Sequence, residues 1–550
     1  MRTTSNILVI AFNYACEIMT TYPGRTVSGL TAALFVYRIF LYPTFLSPLR
    51  NVPGPGLQNP VLGQYLTVIQ EEVCIPMREW TKVHGRTVRY FGLFGKERIL
   101  FISPEALHQM FVQEWLSYPR PAFLRNILGL VAGYGLLTVT GDEHKQLRKA
   151  MNPAFSLSNL MAQTEMYYDH IESLVEILKE QLRNASGEHI VPIYPWAGKL
   201  TLDIICDTAF GYKTRSLHDT DNELATAYHQ LVSLQSLRNI AQLAAFMSLP
   251  GFAKFTTSEW GYRNRRILRF LPSGGSLELL VDCMHRIRGI SAQMLREKIV
   301  DLSVSPHDIG TKKDIMSLLV QARQAELELN PTTTDVISDK AMIDQILTFL
   351  SAGHETTASG ISWTLWLLAK DPESQHRLRE EIAPVYAANP RPDYRTLKSL
   401  SWLDCVINES LRVLPPVPLT IREAGKTAYV DGVLVPKGTI ITCPIRVVNT
   451  WKHVWGEDAE DFRPSRWLEP MSKDYNPTYS HFPFIAGPHA CIGKTMAVSE
   501  MKAVIFALIA NFEFEPAYEG QIARSAAAIT MKPEDGMPLR VTAICRRESE

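Results

Sequence analysis

Apolar residues recur at helical spacing over most of this chain. Across residues 495–512 they fall at Met496, Val498, Met501, Val504, Ile505, Leu508, Ile509 and Phe512, the pattern of a buried helix. Similar patterns dominate residues 143–388, including one long run at about 340–370. Residues 87–91 and 98–102 read as paired short strands around Gly92 to Lys96. Residues 430–442, with Asp431-Gly432 and Pro436-Lys437-Gly438 as turns, read as a small β-meander. The polar stretches 302–313 and 330–339 read as surface loops. The pattern predicts a mainly α fold with small β-sheets.

The first fifty residues follow a different pattern. Residues 7–15 are apolar but short, whereas 27–46 form a longer run with Arg38 as the single charge. About twenty apolar residues cross a bilayer, so the second run is long enough, although Arg38 and Pro43 weaken it. Glu17, Pro23 and Arg25 separate the two runs. A cleaved leader is disfavoured, because only Arg2 is basic before the first run and a longer apolar run follows. The expectation is one anchor at 27–46 within an N-terminal segment 1–50, a re-entrant pair being the alternative. Pro53-Gly54-Pro55-Gly56 then stops any helix and stiffens the exit, marking the start of a second unit at 51–550.

Composition narrows the function classes. The 550 residues carry 56 basic and 56 acidic side chains, so net charge gives no sign of a nucleic-acid partner. The eight cysteines are scattered without a C-x-x-C pair, which argues against a zinc site or a disulfide framework and suits a reducing compartment.

One cysteine stands out. Phe484-Ile485-Ala486-Gly487-Pro488-His489-Ala490-Cys491-Ile492-Gly493 sets Cys491 between glycines at the mouth of the helix expected over 495–512. A helix N-terminus stabilises a thiolate through its free N–H groups and its dipole. Gly487 and Gly493 remove side-chain bulk where a tight turn must press against something flat. Phe484 is placed to cover the sulfur, and His489 offers a donor to an anion. Holding a heme iron by one thiolate needs such a set; a buried structural cysteine capping a core helix is the alternative.

The segment resembles the heme-binding loop of the cytochromes P450, Phe-x-x-Gly-x-Arg/His-x-Cys-x-Gly. Three further segments extend the resemblance from about residue 52 to the C-terminus. Ala352-Gly353-His354-Glu355-Thr356-Thr357 lies inside the 340–370 run, where glycine and paired hydroxyls conflict with helix propensity. A threonine that bonds the carbonyl four residues back can open a helix and leave a groove. In the family an acid followed by threonine delivers protons to bound oxygen, so the resemblance implies that Glu355 feeds the relay and Thr356 holds the oxygen and its water. His354 reads as an ordinary helix residue.

Glu409-Ser410-Leu411-Arg412 puts an acid and a base on one helix face. With Phe462-Arg463-Pro464-Ser465-Arg466-Trp467, it resembles the family's Glu–Arg–Arg triad, implying that Glu409, Arg412 and Arg466 brace the loop beneath the heme. Gly141-Asp142-Glu143-His144-Lys145-Gln146-Leu147-Arg148 departs from the pattern: the family usually has tryptophan at the position of His144. Arg148, His144 and His489 are implied to face the heme propionates, with any histidine contribution depending on protonation. Arg422 is a further candidate there.

The resemblance implies a heme-thiolate monooxygenase using heme b and O2, with Cys491 as the axial ligand. The chain ends soon after its last helix, so electrons are expected from a membrane-bound, NADPH-dependent reductase. The expected location is the endoplasmic reticulum membrane, with the catalytic unit on the cytosolic side. A heme-thiolate isomerase or dehydratase, and a heme-binding membrane protein without turnover, are the alternatives; the complete acid–threonine pair weighs against both. The variable contact regions would fall near 118–140, 225–255, 349–353 and 413–421, with apolar residues such as Phe123, Ile127, Val131, Leu243, Phe246 and Val417. They suit a lipophilic substrate. The style of the chain resembles filamentous-fungal members that tailor secondary metabolites.

Overall fold

Long apolar periodicity cannot be satisfied by isolated helices, and here helices bury one another. The structure is a computed structural model that describes residues 23–184, 188–219, 221–234, 237–304, 314–329, 338–527 and 529–544. The apolar run at 7–15 and the parts of the two polar stretches at 305–313 and 330–337 lie outside the described residues. Residues 302–304 continue a helix instead of starting a loop.

The helices that bear on function, in chain order, are α1 (Pro23–Val36), α2 (Ala122–Ala132), α3 (Gly141–Met151), α4 (Leu157–Asn184), α5 (Ile193–Phe210), α6 (Glu223–Ser233), α7 (Leu237–Met247), α8 (Gly274–Val304), α9 (Asp339–Lys370), α10 (Ser401–Val413) and α11 (Lys494–Asn511). α9 begins where Ser338 caps it, its hydroxyl accepting from the Ala341 N–H at 3.2 Å. It ends at Asp371-Pro372, where Asp371 instead caps the next helix through the Ser374 N–H at 3.0 Å. Between those caps α9 is buried over most of its length, as a central helix must be. Gly353 lies where α5 crosses it: a Cβ there would meet the Ile205 side chain at 2.8 Å. Gly360 does the same for α11, where a Cβ would meet Met501 at 2.9 Å.

Strands β1 (Thr87–Phe91), β2 (Glu97–Phe101), β3 (Glu188–Pro192), β4 (Thr420–Glu423), β5 (Ala428–Val430), β6 (Val433–Val435), β7 (Ile440–Cys443), β8 (Phe512–Pro516), β9 (Ser525–Ala527), β10 (Met531–Pro533) and β11 (Pro538–Ala543) form small sheets. Their orders are β1-β2-β7-β4, β3-β11-β8, β5-β6 and β9-β10. The expected β1–β2 pair is present, with β2 beginning one residue earlier because Glu97 pairs with Phe91.

The meander expected over 430–442 is a two-stranded hairpin instead. Asp431 and Gly432 both take positive φ (46° and 77°), the geometry of a tight hairpin turn joining β5 to β6. β7 leaves that hairpin and lies between β2, to which it is parallel, and β4. Its Ile441, Thr442 and Cys443 are all buried, so both faces need cover, which an interior position supplies.

The helix after α1 continues as a wider, π-type helix, Tyr37–Leu46, that contains Pro43. Proline has no N–H to give, and such departures from regular winding are a common response. One stretch, Ser28–Leu46, is long and apolar enough to cross a membrane (19 residues, mean hydropathy 1.4). Its C-terminal end rests on the body of the protein. Ile39 and Pro43 are buried, Arg89 donates from Nη1 to the Pro43 carbonyl at 3.2 Å, and the Pro53 carbonyl accepts from the Arg89 N–H at 2.9 Å. The Pro-Gly segment is therefore tied to β1.

Candidate active site

The cysteine loop is built by two backbone closures. The Cys491 N–H donates to the Phe484 carbonyl at 3.0 Å, and the Ala490 N–H to the Gly487 carbonyl at 2.9 Å. The turn between them requires Gly487 in the left-handed region (φ +72°), pressed so close to Phe111 that a Cβ would collide with its backbone carbonyl. Gly493 has no such neighbour; a Cβ there would find only the Cys491 sulfur, at 4.0 Å. Cys491 stands three residues ahead of α11. Its sulfur remains accessible although protein surrounds the residue closely.

The helix terminus does not by itself make Cys491 a thiolate. Burial raises the thiol above its ordinary range, and the Gly493 N–H, Arg148 and Lys494 only partly oppose that. A coordinated metal cation deprotonates such a thiol outright. Phe484 is half-buried, with the Lys494 ammonium 5.8 Å from its ring.

Around the loop lies a group of cation-forming side chains. Arg148, on α3, donates from Nη1 to the Ala490 carbonyl at 2.6 Å, one residue before the cysteine. His144, one turn earlier, packs its ring against His489 with centroids 4.1 Å apart, and Trp115 stands edge-on to His489 at 5.1 Å. Burial and the charges of Arg148 and Arg120 push His144 down to about 4. Burial, with Arg120, His144, Arg422 and Arg148, pushes His489 down to about 2. Both histidines are therefore neutral hydrogen-bond partners here.

Arg422, on β4, is buried with its guanidinium 4.7 Å from the Phe111 ring; Nη1 donates to Thr420 Oγ1 and the Ile421 carbonyl. Its Nη2 and the Nδ1 of His144 are buried without a partner. Among the described residues, none of Arg120, Arg148 and Arg422 forms an ion pair with a carboxylate. Burial pushes Arg120 down to about 10 and Arg422 to about 9. A buried guanidinium without an anion, as at Arg422, costs several kcal/mol. Such a cluster fits a ligand carrying carboxylates, and beside an accessible thiol it fits heme with its two propionates. Arg120 and Trp115 were not singled out from sequence; an arginine between prolines at the edge of an apolar stretch was the available signal for Arg120.

The brace expected beneath the loop is present. Glu409 is fully buried and accepts from Arg412 Nε and Nη2 and from Arg466 Nε, each at 2.8 Å. It also accepts from the Arg463 N–H (2.9 Å) and Trp467 Nε1 (3.0 Å). Arg412 continues to the Asn449 carbonyl at 3.2 Å, and the Asn449 side chain accepts from the Phe482 N–H at 2.7 Å, two residues before Phe484. The network is thus tied to the entry of the cysteine loop.

On α9, Thr356 Oγ1 donates to the Ala352 carbonyl at 2.7 Å and Thr357 Oγ1 to that of Gly353 at 2.9 Å. The expected back-bonding occurs, but the helix runs through it unbroken, and Gly353 answers to the α5 contact. His354 is buried, its Nδ1 on the Leu350 carbonyl at 2.7 Å, an ordinary helix residue as expected. Glu355 accepts from Thr530 Oγ1 at 2.5 Å. No described hydrogen bond joins this pair to the cysteine loop; the helices that carry them meet at Gly360 and Met501.

A small apolar cavity of about 50 Å³ lies between α2, α6, α7 and α8, lined by residues that include Ile127, Val131, Leu231, Leu243, Leu277 and Ile529. Three of these were among the apolar residues expected in the variable contact regions. Phe246, from the same set, instead stacks on Phe252 at 5.4 Å.

The family model described as Cytochrome P450 matches residues 53–539. The chain is 28% identical to cytochrome P450 monooxygenase sphH of Aspergillus fumigatus, over 94% of this chain and 92% of that protein. It is 31% identical to cytochrome P450 monooxygenase 205 of Postia placenta, over 89% of this chain and 90% of that protein. It is 29% identical to cytochrome P450 monooxygenase FUM15 of Gibberella moniliformis, over 93% and 89% respectively.

Proposed function

Because the chain belongs to the cytochrome P450 family, and is a monooxygenase of it, we propose that it holds heme b through Cys491 and oxidises a lipophilic substrate in fungal secondary metabolism. The observation that carries the site assignment is the acid-free group of Arg120, Arg148, Arg422, His144 and His489 gathered around an accessible cysteine. Thiolate-held heme supplies oxygen activation and O–O cleavage.

The chain's own residues do the rest. Cys491 would ligate the iron. The unpartnered Nη2 of Arg422 and Nδ1 of His144 would hold the propionates, with Arg120, Arg148 and His489 beside them. Glu409, Arg412 and Arg466 hold the loop in register. Glu355 and Thr356 would relay protons, Thr356 by turning its Oγ1 from the Ala352 carbonyl to a water. The apolar cavity receives the substrate and excludes bulk water. Electrons come from an NADPH-dependent reductase in the same membrane.

The retained acid–threonine pair favours oxygen activation over isomerisation or plain heme storage. Thr356→Ala tests this, since it removes one hydroxyl and leaves a good helix former. We expect normal heme content, while product per NADPH falls by roughly tenfold or more and hydrogen peroxide rises in step. Full product yield per NADPH would remove Thr356 from the relay.

Residues 1–50 form the membrane segment and 51–550 the catalytic unit, placed on the cytosolic face of the endoplasmic reticulum. Deleting residues 1–46 should leave the heme spectrum intact and abolish retention in membranes after carbonate extraction. It should also lower stability by about 2 kcal/mol, because the deletion strips the buried Ile39 and Pro43 from the protein. A full-length chain that washes free at high pH would show that residues 28–46 do not span.

A further inference from the structure

The segment 529–532, which leads into β10, is strapped along one face of α9. Glu355, Ser359 and Trp363 lie four residues apart on that helix and share a face. Each bonds the same short segment. Ser359 Oγ and Trp363 Nε1 both donate to the Met531 carbonyl, at 2.7 and 2.5 Å, and Thr530 Oγ1 donates to Glu355 at 2.5 Å. The Met531 N–H is held in turn by the Pro416 carbonyl at 2.7 Å. Thr530, Met531, Ser359 and Trp363 are all buried, so these bonds are shielded from water.

A second contact comes from the same segment. Lys532 is buried, its ammonium donates to the Val232 carbonyl on α6, and it is near enough to Glu355 for the two charges to interact. Burial pushes that ammonium below its ordinary range, and the charge of Glu355 partly restores it. Both contacts border the apolar cavity: Ile529, next to Thr530, lines it, and so does Leu231, next to Val232.

We infer that Thr530 is a positioning residue for the Glu355 carboxylate, and that the segment 529–532 links the shape of the cavity to the placement of that carboxylate. This rests on the reading of Glu355 as the acid of the proton relay. A hydroxyl aimed at one carboxylate oxygen limits rotation of the side chain. A group that fills the cavity and presses on Ile529 moves the donor by way of one peptide unit.

The test uses the heme-loaded, reductase-reconstituted protein and five variants, one of them double. The carboxylate bands of Glu355 are located by infrared difference against Glu355→Gln. In Thr530→Val, which keeps the side-chain shape, these bands should shift, and in Thr530→Ser they should return. Ile529→Phe, which pushes a ring into the cavity, should shift them as well. Peroxide released per NADPH should rise about twofold or more in Glu355→Gln and in Thr530→Val. It should return toward the parent value in Thr530→Ser, and the Thr530→Val/Glu355→Gln double variant should be no worse than Glu355→Gln alone. Unshifted bands in Thr530→Val overturn the proposal, as does raised peroxide in Glu355→Gln with none in Thr530→Val. Unchanged peroxide in Glu355→Gln defeats the relay reading instead, while the bands still decide whether Thr530 holds the carboxylate. Bands unmoved by Ile529→Phe overturn the link to the cavity.

Discussion

Replacing Glu409 by alanine should yield a chain that accumulates poorly and carries little heme. The side chain is fully buried and accepts from both Arg412 and Arg466, themselves almost entirely buried, and from the Arg463 N–H and the Trp467 indole. Removing it leaves the Arg412 guanidinium without its anion in a place water cannot reach, and leaves Arg466 with Asp458 alone. Breaking a buried pair in this way costs roughly 3–5 kcal/mol, a large share of the stability of most proteins. The damage is directed at the loop, because Arg412 holds Asn449 and Asn449 holds the Phe482 N–H. Glu409→Gln keeps an acceptor but not the charge, and should fall between. The heme-to-protein ratio and thermal midpoint of the two variants check this; full heme loading in Glu409→Ala would show that the brace is dispensable.

Gly487→Ala should be nearly as damaging, for a steric reason. The residue takes φ +72°, which costs an L side chain about 1–2 kcal/mol, and its Cβ would strike the carbonyl of Phe111. Backbone cannot yield as a flexible side chain can. Phe111 also lies under the Arg422 guanidinium and edge-on to Phe482 (5.4 Å), so moving it disturbs the arginine–histidine cluster and the loop together. Gly493→Ala is the control, since its Cβ meets only the cysteine sulfur, at 4.0 Å. That variant should keep its thermal midpoint in the heme-free state and lose heme affinity. Gly487→Ala should lose both. Equal behaviour of the two would mean that neither glycine acts as the structure implies.

Local chemistry was readable in the chain, and long-range pairing largely was not. The cysteine loop, the acid–threonine pair and the Glu409–Arg412 spacing are each set within ten residues, and the structure builds each locally as expected. Arg466 joins Glu409 from a distant segment, and only the resemblance to a known family pointed there. The Asp431-Gly432 turn was legible because both residues tolerate positive φ. The partner of β7 was not, because its choice of β2 over β6 is made by burial on both faces. Trp115 and Thr530 escaped for the same reason: each acts by meeting side chains far along the chain, and nothing in its own neighbourhood marks it; Arg120 carried only the weak mark of its flanking prolines. In α9 the threonine back-bonds were readable locally and are present within a continuous helix, whereas the role of Gly353 in close packing on α5 was not readable.

The role of Cys491 is tested most directly by the absorption spectrum of the reduced protein with carbon monoxide, taken on the intact chain and on Cys491→His. A thiolate ligand gives a red-shifted Soret band, and a histidine ligand gives one at shorter wavelength. The intact protein should show the red-shifted band. Cys491→His should show the shorter-wavelength band or no heme at all, since the other described cysteines are buried whereas Cys491 is exposed. A red-shifted band that survives in Cys491→His would contradict the assignment and move the iron to another sulfur.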